Sequence, residues 1–251
     1  MSEFSQEIKS PSKNLSRIVQ YGMAKPHMVN IPELKQETVT DPLTHILNVR
    51  GFKRAFERMR QYSIRDGKQM GHAFLDLDHF KTVNDVFGHD TADVLLREIA
   101  ERSKHVVRQV DVVGRKGGDE FEFGFYDVDT LEDAEAIREK IQQSLLPSVV
   151  KGIEEGTQIN FYPQLSMGML FGFDGKTDSL DNQTQLSDGL MRILKAAREK
   201  KTDGEIRGAI SSESAFNYAI ADRKGIIHAS NRTNFVNKSI HELMGVYNIQ
   251  L

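Results

Sequence analysis

The 251-residue chain contains no cysteine, which excludes disulfides and thiolate metal sites. It has no apolar run approaching the ~20 residues needed to cross a bilayer. Its first residues, Met1 to Lys13, are polar and lack the apolar stretch of a secretion signal. A basic excess is missing as well: the formal charge of -3 argues against nucleic acid as the main partner. No internal repeat or low-complexity block is present, and residues 1–40 hold no heptad pattern long enough for a coiled coil. These absences lead us to expect a soluble, cytoplasmic protein that neither spans a membrane nor serves DNA. Hydrophobic residues, at 39%, suffice for a buried core, and the length fits one full-sized domain with extensions, or one domain plus a fragment.

Residues 1–40 are polar and broken by Pro11, Pro26 and Pro32, with short helices expected over Lys13–Met23 and from Pro32 to Thr40. From Asp41 the pattern alternates. Phe52, Ala55, Phe56 and Met59 recur at helical spacing, and His72–Leu77 reads as a strand ending in carboxylates. Thr91–His105 reads as a helix, with Ala92, Leu95, Leu96 and Ile99 inward. Val110–Val113 and Phe121–Phe125 are apolar strands joined by the glycine-rich link Gly114–Glu120, the chemistry of a hairpin turn. Asp133–Leu146 repeats Ala134, Ile137, Ile141 and Leu145 as another helix. Asn160–Phe173 is a strand candidate and Ser187–Lys200 a final helix. The fold class expected is α/β, a mixed sheet covered by helices. Residues 209–251 look separate: Phe216–Ala221 can pair with Ile226–Ala229, and Ser239 with Glu242 opens a short helix.

Two acidic groups stand out. Asp76 and Asp78 end an apolar strand two apart, so they point to the same side. Asp119 and Glu120 occupy the tip of the expected hairpin. Brought together, such carboxylates bind Mg²⁺ and leave positions open for phosphate oxygens, as phosphoryl transfer requires. The alternative is that each is a solvated turn acid.

Gly117-Gly118-Asp119-Glu120-Phe121 matches the string that names the GGDEF family of diguanylate cyclases. It is accompanied by Asp41-Pro42-Leu43-Thr44, which resembles the family's opening D-x-L-T. The block Asp76-Leu77-Asp78-His79-Phe80-Lys81-Thr82-Val83-Asn84-Asp85-Val86-Phe87-Gly88-His89 is similar to its D-x-D-x-F-K-x-x-N-D-x-x-G-H. Order and spacing fit over about Asp41 to Arg207, which implies the family's palm-like cyclase fold at residues 41–208, an N-terminal extension at 1–40 and a C-terminal one at 209–251.

The resemblance implies roles residue by residue. Asp76 and Asp119 match Mg²⁺ ligands (Mn²⁺ being a possible substitute), with the backbone carbonyl of Leu77. Glu120 matches a position assigned to a second metal or to activation of a ribose 3′-hydroxyl. Asn84 and Asp93 match the guanine readers; a carboxylate accepts from guanine N1–H and N2–H₂, which adenine does not offer. Phe80 and Lys81 match a loop whose amides cradle terminal phosphates, and Lys195 a phosphate-binding lysine. Arg108-Gln109-Val110-Asp111 stands at the offset of the family's R-x-x-D product-inhibition site. His79 and His89 are expected in loops flanking the site, structural or near phosphate.

The implied activity is a diguanylate cyclase that joins two GTP into cyclic di-GMP and two pyrophosphates, as a homodimer with one GTP per subunit. Some positions depart from the pattern: His45, the run Val49-Arg50-Gly51, Ala92 before Asp93, and Glu199 where an arginine is usual, flanked by Arg198 and Lys200. Two rivals stand beside this reading. One is a silent module that binds cyclic di-GMP or GTP and signals by contact; the other is a related cyclase or polymerase with a different product. The stretch Ala219–Asn231 is weakly similar to the opening strands of PAS sensor domains, though too few residues follow for the roughly 100 of a whole one.

Overall fold

The structure is a computed structural model, and the residues it describes are 38–146, 150–154, 157–161, 164–197, 215–231 and 233–250. The helix expected over Lys13–Met23 lies outside them, as do Glu199 and its neighbours Arg198 and Lys200. Of the stretch from Pro32 to Thr40 only Thr38–Thr40 is described, and it is not helical.

The first helix, α1 (Val49–Asp66), begins where the Asn48 side chain accepts from the Gly51 amide, and it buries Phe52, Phe56 and Met59. The chain then forms β1 (Met70–Leu77), α2 (Phe80–Val106), β2 (Val112–Gly117), β3 (Glu120–Tyr126) and α3 (Leu131–Leu145). Next come β4 (Val150–Glu154), β5 (Thr157–Phe161), β6 (Gln164–Phe173) and α4 (Leu180–Ala196). The chain closes with β7 (Ala215–Asp222), β8 (Ile227–Ser230) and a helix, α5 (Ile240–Tyr247). Among the described residues, strands β4 and β5 pair with each other alone, and the other six form one open mixed sheet in the order β2-β3-β1-β6-β7-β8. All neighbours are antiparallel except β6 and β7, which run parallel.

Strand β1 is central and buried along its whole length, which explains its nearly unbroken apolar run. One face of the sheet packs on α2 and α3 through Ala73, Leu75, Phe121, Phe123, Met167 and Leu96. The other packs on α1, α4 and α5 through Phe52, Phe56, Leu170, Leu190 and Leu243. Gly168 of β6 permits a close approach of α4: a Cβ there would stand 2.3 Å from the Ser187 carbonyl oxygen and 2.8 Å from the Met191 nitrogen. That contact lays the helix across the sheet and brings its last turn over the end of β1.

Three expectations change. Phe80, Lys81 and His89 are not in loops: α2 begins at Phe80 and continues past His89, interrupted only at Gly88. Val83 and Phe87, buried four residues apart, are the apolar stripe that makes the first arm helical. Residues 150–161 form a hairpin of their own ahead of β6. The tail does not stand apart. β7 adds to β6 in parallel register from Gln164↔Ala215 to Phe171↔Asp222, and β8 extends the same sheet.

Candidate functional site

The acids gather where β1 leaves the sheet. Alternation sends His72, Phe74 and Asp76 to the face covered by α1 and α4. Asp76 lies opposite Glu120 in the β1–β3 register, and the Leu77 amide donates to the Asp119 carbonyl oxygen at 3.3 Å. The strand end and the hairpin tip, distant in sequence, thus form one edge. Lys195, in the last turn of α4, places Nζ 2.5 Å from Asp76 Oδ1. Asp78, on the same edge, is buried and accepts from Ser166 Oγ at 3.2 Å.

These carboxylates are costly to ionise. Burial drives the Asp76 carboxyl up to about 7, the Lys195 cation works against it, and the charges of Asp119 and Asp78 add to the rise. Burial raises Asp119 and Glu120 as well. Further along the same face burial raises Glu122 and Asp188, with Lys116 the main cation opposing it. Lys116 Nζ stands 4.6 Å over the Phe74 ring and 3.9 Å from Glu122 Oε1. The face is therefore a strip of buried acids short of positive charge.

A divalent cation fits that chemistry. The Lys195 ammonium already occupies a cation's place against Asp76. Among the described residues no group of three or more histidine, aspartate or glutamate side chains is arranged to hold a metal ion. A hard cation here would take the Asp76 and Asp119 carboxylates, with Glu120 adjacent, and fill its remaining positions with carbonyl, water or phosphate oxygens, as Mg²⁺ characteristically does.

The chain turns from β1 into α2 through His79, whose φ of 59° is left-handed. The His79 side chain does not cap this helix, and the first amides of α2, those of Phe80, Lys81 and Thr82, have no acceptor within the helix, the polarity that suits an anion. Phe80 packs into the core beneath, and Lys81 is exposed. Asn84 faces along the same arm, with Oδ1 3.0 Å from His89 Nδ1. Asp93 lies on the second arm, 3.7 Å from the Arg97 guanidinium.

Arg108 and Asp111 are elsewhere. They sit at the start of β2, the end opposite the hairpin tip, so the structure separates them from the acids. Asp111 is buried and accepts from the Arg108 and Tyr126 amides at 2.9 and 3.0 Å and from Arg108 Nε at 3.0 Å; the Arg108 guanidinium also reaches the Tyr126 carbonyl. Beside this pair lies a groove of about 600 Å³, lined by Arg54, Arg58 and Tyr62 of α1 and by Gln109–Val112.

Sequence reasoning missed Arg115. Its Nε and Nη2 donate to the Gly118 carbonyl at 2.9 and 2.7 Å, holding the hairpin tip that presents Asp119. The signal was available, an arginine inside a glycine-rich link, but its partners are visible only in three dimensions.

Comparison with known proteins identifies a family. The family described as "Diguanylate cyclase, GGDEF domain" matches residues 38–201. The bifunctional diguanylate cyclase/cyclic di-GMP phosphodiesterase MucR of Pseudomonas aeruginosa is 36% identical over 149 residues, 58% of this chain and 20% of that protein. Diguanylate cyclase DosC of Escherichia coli is 32% identical over 164 residues, 64% of this chain and 34% of that one. The chain thus spans between a fifth and about a third of these relatives' length. Among solved structures, diguanylate cyclase SiaD of Pseudomonas aeruginosa, in complex with its activator SiaC, superposes with a TM-score of 0.55 at 27% identity, covering 73% of this chain and 63% of that one. No described helix is long and apolar enough to cross a membrane.

Proposed function

The chain belongs to the GGDEF diguanylate cyclase family, and from that premise we propose that it condenses two GTP molecules into cyclic di-GMP. The observation that carries this reading is the buried Asp76 carboxylate held against Lys195 Nζ at 2.5 Å, beside Asp119 and Glu120. A site built to concentrate negative charge and relieve it with cations suits a triphosphate and its counter-ion.

In this reading the α2 amides and Lys81 receive the terminal phosphates, Asn84 and Asp93 read guanine, and Lys195 moves between Asp76 and phosphate oxygen. Asp76, Asp119 and the Leu77 carbonyl, with Glu120 adjacent, would hold Mg²⁺, which would supply charge neutralisation at the triphosphate. Each subunit of a homodimer holds one GTP. The 3′-hydroxyl oxygen of one attacks the α-phosphorus of the other, forming a P–O3′ bond. The bond to the bridging oxygen breaks, pyrophosphate departs and the hydroxyl proton is lost; the mirror event closes the ring. The protein's share is orientation, which converts an encounter of two nucleotides into a near-intramolecular step. Arg108 and the neighbouring groove are the place for product to bind and inhibit.

Purified protein given GTP, ATP or both, with Mg²⁺, tests the reading by product mass. Cyclic di-GMP from GTP alone supports it. Mixed or adenine-only products contradict the guanine assignment. Absence of product at all protein concentrations, with tight cyclic di-GMP binding, identifies a silent binding module instead.

A further inference from the structure

Asn84 and His89 are five residues apart in one helix, yet His89 Nδ1 and Asn84 Oδ1 are 3.0 Å apart. On an uninterrupted α-helix, at about 100° per residue, positions five apart diverge by about 140° and cannot meet. The contact exists because α2 breaks at Gly88, whose φ of 79° and ψ of 162° lie in a region essentially confined to glycine. A Cβ at Gly88 would meet nothing within 4 Å, so glycine is required there by backbone conformation and not by space. The break turns the second arm so that its first residue, His89, comes back over Asn84.

The chemistry of the contact is directional. With the amide oxygen placed toward the ring, an atom that only accepts, this arrangement puts the proton on Nδ1 and makes His89 the donor. The bond to Oδ1 fixes the orientation of the Asn84 amide, so that its NH₂ group is the end turned away from His89. An unrestrained asparagine amide can rotate and exchange donor for acceptor.

We infer that His89 is a positioning residue that locks the Asn84 amide as a donor and thereby sets the preference for guanine over adenine. The inference rests on the guanine-reading role given to Asn84 above. A donor there suits guanine O6, with the Asp93 carboxylate accepting from N1–H and N2–H₂; adenine presents an amine where guanine presents O6. If the amide rotates, its oxygen accepts that amine and discrimination falls.

The test is direct binding of α,β-methylene GTP and α,β-methylene ATP, which cannot lose pyrophosphate, in the presence of Mg²⁺. We expect His89→Ala to weaken the GTP analogue about five- to tenfold, the scale of one oriented hydrogen bond, and to narrow the GTP-to-ATP ratio. His89→Gln, which can still donate an N–H, restores much of both. In an Asn84→Ala background, His89→Ala has no further effect, because the histidine acts through the asparagine. Equal weakening of both analogues by His89→Ala, unchanged binding, or effects that multiply with Asn84→Ala overturns the inference. Wild-type protein that binds neither analogue contradicts the guanine site itself, and this role with it. Wild-type protein that selects the GTP analogue while His89→Ala does so equally contradicts only the role of His89.

Discussion

Arg115 Nη1 lies 3.0 Å from Asp41 Oδ1 in an ion pair that is nearly buried, the two side chains being 12% and 18% exposed. Asp41 is fixed in turn by the Thr44 amide at 2.8 Å and the Thr44 hydroxyl at 2.6 Å. The opening Asp-Pro-Leu-Thr turn is thereby joined through one guanidinium to the Gly118 carbonyl at the hairpin tip. Removing the guanidinium leaves the part-buried Asp41 carboxylate its Thr44 hydrogen bonds but not this counter-charge, at a cost of about 1–3 kcal/mol. We expect Arg115→Ala to lose that much in urea unfolding and to lose cyclase activity at temperatures where it remains folded. Arg115→Lys, which keeps the charge but not the fork, should recover stability more than activity. A fully active Arg115→Ala would show that the hairpin needs no such tie.

His72 makes the fold sensitive to acid. Its Nδ1 is 2.8 Å from Ser187 Oγ, whose own proton goes to the Gln183 carbonyl at 2.9 Å, so the imidazole is the donor and buried Nε2 has no hydrogen-bond partner among the described residues. Phe52 and Phe56 pack edge-on against the ring. Burial lowers its pKa from 6.5 to about 3. A lowered histidine pKa means that the unfolded chain binds protons the native one does not. Its contribution is therefore whole above about pH 6.5 and declines as pH falls towards about 3. From this group alone we expect a loss of roughly 2 kcal/mol between about pH 6.5 and 5, at about 1.4 kcal/mol per unit. Chemical denaturation against pH measures the slope, and His72→Gln should flatten it while being less stable at neutral pH. An unchanged slope in that variant would contradict the assignment.

Arg108 and Asp111 should separate in their effects. Asp111 is a buried acceptor for two backbone amides, whereas the Arg108 side chain is half exposed. Asp111→Ala is expected to cost about 2 kcal/mol in stability. Arg108→Ala should cost much less and relieve inhibition by cyclic di-GMP, read from progress curves with added product. Inhibition that survives in Arg108→Ala places the product elsewhere.

Divalent metal should stabilise the free protein. At Mg²⁺ about 100-fold above its dissociation constant, linkage gives about 2.7 kcal/mol, or roughly 5–10 °C in the thermal midpoint of a chain of this size. Asp119→Ala should show no such rise. An equal rise in that variant would mean that the metal binds away from the acids.

Much of this was legible in the residues. The strand at His72–Leu77, the hairpin around Gly117-Gly118 and the helices over Phe52–Met59 and Asp133–Leu146 announced themselves through periodicity and turn chemistry, because each is a local pattern. The family resemblance identified the acids as one group. What was hidden depends on tertiary context. The polar stretch from Asp78 to His89 reads as loop until Val83 and Phe87 find the core. The parallel pairing of β7 on β6 has no local signal, since parallel strands are joined by crossovers. The ties from Arg115 to Asp41 and from His89 to Asn84 depend on a turn and a helix break that spacing alone does not reveal.

The most direct measurement is the mass of the product formed from GTP and Mg²⁺ by wild-type protein and by Asp119→Ala, side by side at matched concentration. We expect cyclic di-GMP and pyrophosphate from the wild type and at least about a hundredfold less from the variant, on the scale of losing a principal electrostatic contact in the reaction. Equal cyclic di-GMP from both would contradict the acid cluster as the site of the chemistry.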